Sequence, residues 1–136
     1  MTQKPRSILL VDDSETHLLL LESLLNNKGW DIHRAKSASA GMEKVRTIKP
    51  DLILLDLQMP QIDGYEMLDW LQAKEQYRGI PVIVISGVNE NNTYDICIKK
   101  GAIDYMPKPV DSITLLKKIK KILTSPTRIL PGKEKW

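Results

Sequence analysis

The strongest constraint on this chain is an alternation in which each short run of strand character is followed by a longer stretch of helical period. The runs are Ile8 to Val11, Trp30 to Ala35, Leu52 to Leu55, Val82 to Ile85 and a brief Asp104 to Met106. Leu52 to Leu55 and Val82 to Ile85 are apolar at every position, so both faces of those strands need cover. Parallel strands flanked by helices on each side supply it. Between the runs, Leu18, Leu21 and Leu25 with Leu20 and Leu24 mark a first helix, stopped at Gly29 by a left-handed cap. Ala38, Met42 and Val45 mark a second, ended before Pro50. Met67, Leu68 and Leu71 mark a third, and Tyr94, Cys97 and Ile98 a fourth that ends at Gly101. The fifth carries Leu115, Leu116, Ile119, Ile122 and Leu123 on one face, with Asp111 or Ser112 as N-cap. Its other face holds Lys117, Lys118, Lys120 and Lys121. The expectation is an α/β domain with an open, doubly wound, five-stranded parallel sheet. Right-handed crossovers then place functional groups at the carboxyl ends of the strands.

At 136 residues the chain is one domain. We expect it to occupy residues 1–123, with Thr124 to Trp136, which contain Pro126, Pro131 and Gly132, as a tail or linker. Cys97 is the only cysteine, which excludes an internal disulfide and a zinc site built on several thiolates, and suits a reducing compartment. No apolar run approaches the roughly 20 residues of a membrane span, so no membrane partner is expected and the domain is read as soluble and cytoplasmic. The net charge of +3 is unevenly spread: Met1 to Ile98 carry 10 basic and 14 acidic residues, Lys99 to Trp136 carry 10 and 3. A basic end of this kind can attract nucleic acid or acidic lipid. Here it reads as a solvated helix face plus a tail, and no direct nucleic-acid binding is expected.

The residues at the strand ends are more informative. Asp12, Asp13 and Ser14 follow the first strand, Asp56 the third, Ser86-Gly87 close the fourth, and Lys108 follows the fifth. Three carboxylates repel one another and favour a bound cation or a raised pKa. Hard oxygen ligands select Mg²⁺, and a carboxylate beside Mg²⁺ can attack a phosphoryl group to give an aspartyl phosphate. A lysine and a hydroxyl supply charge and hydrogen bonds to the phosphoryl oxygens. Simpler roles exist for single residues: Asp12 or Asp13 as a helix cap, Asp63-Gly64 as a turn, Tyr105 as a half-buried strand residue. Cys97 and Met67 read as core, and His17 and His33 as solvated or structural.

Four strings then carry a family resemblance. They are Ile8-Leu-Leu-Val-Asp-Asp-Ser14, Asp51-Leu-Ile-Leu-Leu-Asp-Leu-Gln-Met-Pro60 with Asp63-Gly64, Val82-Ile-Val-Ile-Ser-Gly87, and Gly101-Ala-Ile-Asp-Tyr-Met-Pro-Lys-Pro109. In order and spacing they resemble the receiver domain of two-component response regulators, over roughly Ser7 to Leu123. The resemblance implies a flavodoxin-like fold with strand order 2-1-3-4-5. It implies Asp56 as phosphoacceptor, Asp13 as direct Mg²⁺ ligand, Asp12 acting mostly through water, and the backbone carbonyl of Gln58 as a further ligand. Lys108 would pair with the phosphoryl group, Ser86 would move its hydroxyl to bond it, and Tyr105 would turn inward in response. Pro109 would follow a cis peptide, and the side chains of Gln58 and Val88 would flank the water that hydrolyses the phosphoryl group. Gly87 stands where the family usually has alanine, and Val110 where phenylalanine is frequent.

Rival enzyme classes fit less well. A haloacid-dehalogenase-type phosphatase needs Asp-x-Asp after its first strand, and here the pair is contiguous. A flavodoxin-like electron carrier would meet repulsion between its flavin phosphate and Asp12 and Asp13, and no Gly-x-x-x-x-Gly-Lys loop is present. The implied partners are a histidine kinase or phosphotransfer protein and an output domain or downstream protein. The latter would read the face made by the fourth helix, fifth strand and fifth helix; a homodimer through that face is also open. Only slow self-phosphorylation and self-dephosphorylation are expected as chemistry. The chain is read as free-standing or as a module of a larger hybrid kinase or regulator.

Overall fold

The computed structural model describes residues 4–59, 63–87 and 92–124, so Pro60, Val88 and the chain after Thr124 lie outside the described residues. Five strands, β1 (Ser7–Val11), β2 (Asp31–Ala35), β3 (Leu52–Leu55), β4 (Val82–Ser86) and β5 (Asp104–Pro107), alternate with five helices. The helices are α1 (Glu15–Leu25), α2 (Ala38–Ile48), α3 (Gly64–Ala73), α4 (Thr93–Lys99) and α5 (Ser112–Thr124). The sheet order is β2-β1-β3-β4-β5 with every neighbouring pair parallel, the doubly wound, flavodoxin-like arrangement.

Side-chain alternation along the central strands divides the core in two. Leu9, Val11, Ile53, Leu55, Val82 and Val84 pack with Ala38 and Val45 of α2, Met67, Leu68 and Leu71 of α3, and Cys97 of α4. Ile8, Leu10, Leu52, Leu54, Ile83 and Ile85 pack with Leu18, Leu21 and Leu25 of α1 and with Leu115, Ile119, Ile122 and Leu123 of α5. Each such side chain, fully buried, stabilises by about 1.5–3 kcal/mol, so both layers are needed to hold the sheet.

Register places the strand ends side by side. Val11 pairs with Leu55, so Asp12 and Asp56 emerge together, each tied by its N–H to the neighbouring strand: Asp56 to the Val11 carbonyl at 2.9 Å, Asp12 to the Ala35 carbonyl at 3.1 Å. Ser86 pairs with Pro107, and the Lys108 N–H donates to the Ser86 carbonyl at 3.0 Å.

Several local readings need correction. Helix α1 ends at Leu25 with Asn26 as an extended C-cap, and the left-handed residues are Asn27 (φ 62°) and Gly29 (φ 85°). Gly29 therefore shapes the turn into β2 rather than capping the helix. Leu20 is 60% exposed, because the buried stripe is Leu18, Leu21 and Leu25 and a residue two on from Leu18 lies roughly 200° round the helix. Tyr94 is 54% exposed, because α4 buries Thr93 and Cys97, four residues apart. Asp63-Gly64 starts a helix instead of making a turn: the Asp63 carboxylate accepts from the Glu66 N–H at 3.0 Å as the N-cap of α3. Asp111 precedes α5, its carbonyl accepting from Leu115 and its carboxylate from the Thr114 hydroxyl at 2.7 Å. The helix continues through Thr124, one residue into the expected tail.

Candidate functional site

Asp12, Asp13 and Asp56 meet at the carboxyl edge of the sheet, each offering a carboxylate oxygen within 4.8 Å of the others. Asp12 and Asp56 are buried, at 1% and 4% exposure, and Asp13 faces solvent. Asp12 is closely held. Its Oδ1 accepts from the Ser14 N–H at 2.9 Å, and its Oδ2 is contacted by His17 Nδ1 and by Lys108 Nζ at 3.3 Å. Asp56 is held more loosely, with the Gln58 N–H at 3.4 Å from Oδ1 and Lys108 Nζ at 3.7 Å from Oδ2. Lys108 thus lies between the two buried carboxylates, and its bond to Pro109 is cis.

These contacts push the two carboxyls in opposite directions. Burial alone would raise Asp12, but the hydrogen bonds from His17 and Ser14 and the charge of Lys108 outweigh it and hold the carboxyl below its usual range. Asp56 is raised, first by burial and then by the charge of Asp12, against the smaller opposing pull of Lys108 and the Gln58 N–H. Folded Asp56 therefore keeps its proton to higher pH than in the unfolded chain. Its contribution favours folding at low pH and is lost as pH rises from the ordinary carboxylate range through the raised value. Asp56→Asn removes that loss. Without added metal the variant is expected to melt a few degrees higher than the parent at pH 7, with the gap closing towards pH 4, measured by thermal unfolding at several pH values.

The donor set suits a hard divalent cation. Three carboxylates face one lysine ammonium, leaving unbalanced negative charge, and their ligand atoms are all oxygens. Ser86, fully buried at the end of β4, directs its carbonyl to Lys108 N–H and accepts the Tyr105 hydroxyl at 3.5 Å. Tyr105 is half-buried against the α2–α3–α4 layer, and burial, then Cys97 and Tyr65, raise its phenol pKa. A Cβ at Gly87 would meet nothing within 4 Å among the described residues. Gln58 is exposed, and its backbone N–H reaches Asp56.

Two residues of the site were not read from the sequence. His17, expected to be solvated or structural, sits against Asp12. The available signal is its place in the first turn of a helix that starts two residues after Asp13. Gly64 packs on the backbone of Asp56 and Leu57, its N–H donating to the Leu57 carbonyl at 2.9 Å. A Asp-Gly pair carries no signal for that approach.

A family model described as the response regulator receiver domain matches residues 8–120. Among curated proteins, protein PilH of Pseudomonas aeruginosa is 34% identical over 116 residues, covering 85% of this chain and 96% of PilH. The receiver domain of a signal transduction histidine kinase from Syntrophus aciditrophicus superposes with a TM-score of 0.82 at 27% identity, covering 96% of this chain and 99% of that one. A CheY-like receiver domain protein from Methanospirillum hungatei gives 0.79 at 28% identity, covering 87% and 93%. Receiver domains are signalling modules of two-component systems rather than conventional enzymes; they bind Mg²⁺ at an acidic pocket and interact with histidine kinases and downstream targets. With this fold, this cluster of strand-end residues and a family match over nearly its whole length, the chain belongs to the response regulator receiver domains.

Proposed function

We propose that this receiver accepts a phosphoryl group on Asp56 from a histidine kinase or phosphotransfer protein. The observation that carries this is the surroundings of Asp56: a buried carboxylate with Asp12 and Asp13 within 4.8 Å and the Lys108 ammonium at 3.7 Å. An Asp56 oxygen attacks the donor's phosphorus, the bond from phosphorus to the donor breaks, and the donor leaves with the electron pair. Asp12, Asp13, Asp56 and the Gln58 backbone carbonyl would hold Mg²⁺, which neutralises charge as the anionic donor approaches. Lys108 lies where it can pair with the phosphoryl oxygens, and Ser86 is the neighbouring hydroxyl on β4. Water attack on the same phosphorus returns the carboxylate, so self-phosphorylation and self-dephosphorylation are slow side reactions of a switch.

The output follows from packing. Ser86 moving towards the phosphoryl group frees space for Tyr105 to turn inward, changing the face formed by α4, β5 and α5. Helix α4 supports this role, since Asn92 makes no side-chain cap bond whereas Ser14, Ser37 and Asp63 each cap their helices. Lys117, Lys118, Lys120 and Lys121 on α5 give a partner, an output domain or a second copy charge to read. Nucleic acid is not the expected target. Among the described residues no helix is long and apolar enough to cross a membrane, and with a single buried cysteine we place the domain in the cytoplasm. The likeness to a histidine-kinase receiver favours, as a second reading, a module within a larger hybrid kinase.

Incubation with a small acyl phosphate and Mg²⁺ is expected to add one phosphoryl group by intact-mass measurement, and a chelator to prevent it. An equal gain in the presence of chelator would contradict the metal-assisted site.

A further inference from the structure

His17 has two ring nitrogens, and only one of them finds a partner among the described residues. The side chain is 12% exposed, Nδ1 lies against Asp12 Oδ2, and Nε2 is buried without a hydrogen-bond partner among the described residues. An unpartnered buried ring nitrogen destabilises a fold, so an apolar side chain at this position would pack at lower cost. What the imidazole adds is its bond to Asp12.

That bond differs from the other contact at the same oxygen. Lys108 Nζ also reaches Asp12 Oδ2, at 3.3 Å, but its side chain is 27% exposed on a flexible stem and it is shared with Asp56, 3.7 Å away. His17 is fixed from its backbone outward: its N–H donates to the Ser14 hydroxyl at 3.2 Å, the N-cap of α1. Ser14 in turn donates its N–H to Asp12 Oδ1 at 2.9 Å. The start of α1 therefore grips both oxygens of Asp12 independently of Lys108. The ring is not among the side chains whose ligand atoms converge within 4.8 Å, and we read it as supporting the cluster rather than joining it.

We propose that His17 is a positioning residue for the divalent cation, its Nδ1–H holding the Asp12 carboxylate in the orientation at which the acidic cluster receives the ion. This rests on the reading of Asp12, Asp13 and Asp56 as the cation site. Outer partners of metal-binding carboxylates typically contribute about 10- to 100-fold in affinity.

The test is a Mg²⁺ titration of the full chain followed by the backbone amide shifts of Asp12, Asp13, Asp56 and Gln58, with thermal unfolding of each variant alongside. Three chains are compared at one pH: the parent, His17→Asn, which keeps a donor near the Nδ1 position, and His17→Leu, which removes it. His17→Met replaces the leucine variant should that chain not fold. The expected result is parent and His17→Asn within about threefold of one another, and His17→Leu weaker by about tenfold or more with no fall in melting temperature. His17→Leu binding as the parent does would overturn the proposal. So would equal losses in both variants, which would mean that ring packing and not the donor is what counts. A parent chain with no Mg²⁺-dependent shifts would instead overturn the cation site itself.

Discussion

Gly64→Ala is expected to destabilise the protein by about 3 kcal/mol and to lower its melting temperature by roughly 10 °C. A Cβ at this position would stand 2.5 Å from the Asp56 carbonyl oxygen and 2.7 Å from Leu57 Cα. Both are backbone atoms at the end of a central strand, so neither can rotate away. To admit the methyl group, the first turn of α3 must back off from β3, breaking the 2.9 Å bond from Gly64 N–H to the Leu57 carbonyl and disturbing the backbone that carries Asp56. Phosphoryl uptake should fall together with stability. Two other glycines provide the controls. Gly41→Ala meets only side chains, Val11 Cγ2 at 3.0 Å and Met67 Cε at 3.2 Å, and should cost about 1 kcal/mol. Gly87→Ala meets nothing within 4 Å among the described residues and should melt with the parent. Thermal unfolding of the three variants checks the ordering, and a Gly64→Ala protein as stable as Gly87→Ala would refute the close approach.

Lys108→Ala is expected to slow phosphoryl uptake from a small donor by about 10²-fold, the usual cost of losing one charged group aimed at a transferring phosphoryl group. The same change leaves Asp12 and Asp56 without the cation that lies 3.3 Å and 3.7 Å from them. Because Lys108 is one of the influences that lower the Asp56 carboxyl, its loss raises that carboxyl further, and the metal-free protein should melt lower at neutral pH. Added Mg²⁺ should then raise the melting temperature more in Lys108→Ala than in the parent, because it replaces the missing positive charge. The rate is read from the growth of the phosphorylated mass, and an uptake rate equal to the parent's would remove Lys108 from the chemistry.

The central sheet was legible because β1, β3 and β4 leave their chemistry no alternative: Leu52 to Leu55 and Val82 to Ile85 are buried at every position. The site was legible for a related reason. Asp12, Asp56 and Lys108 follow strands immediately, and a parallel sheet in register brings strand ends together without further information. Helix faces were less legible. Helix α1 carries leucine at six of its eleven positions, Leu18 to Leu21, Leu24 and Leu25, so its composition cannot say which stripe the sheet covers. In α4 a threonine is buried while a tyrosine faces out, so burial there follows position on the helix and not polarity. The roles of the other two site residues are set by tertiary packing. His17 meets Asp12 only because the Ser14 cap sets the angle at which α1 leaves β1, and Gly64 matters only because α3 returns to touch the end of β3.

The direct test of the account is the intact mass of the parent and of Asp56→Asn after incubation with a small acyl phosphate and Mg²⁺. Asparagine keeps the size and one oxygen of the side chain but lacks the nucleophilic carboxylate. One added phosphoryl group is expected on the parent and none on Asp56→Asn, with the variant folded and melting no lower than the parent. One added phosphoryl group on both proteins would place the acceptor elsewhere and contradict it.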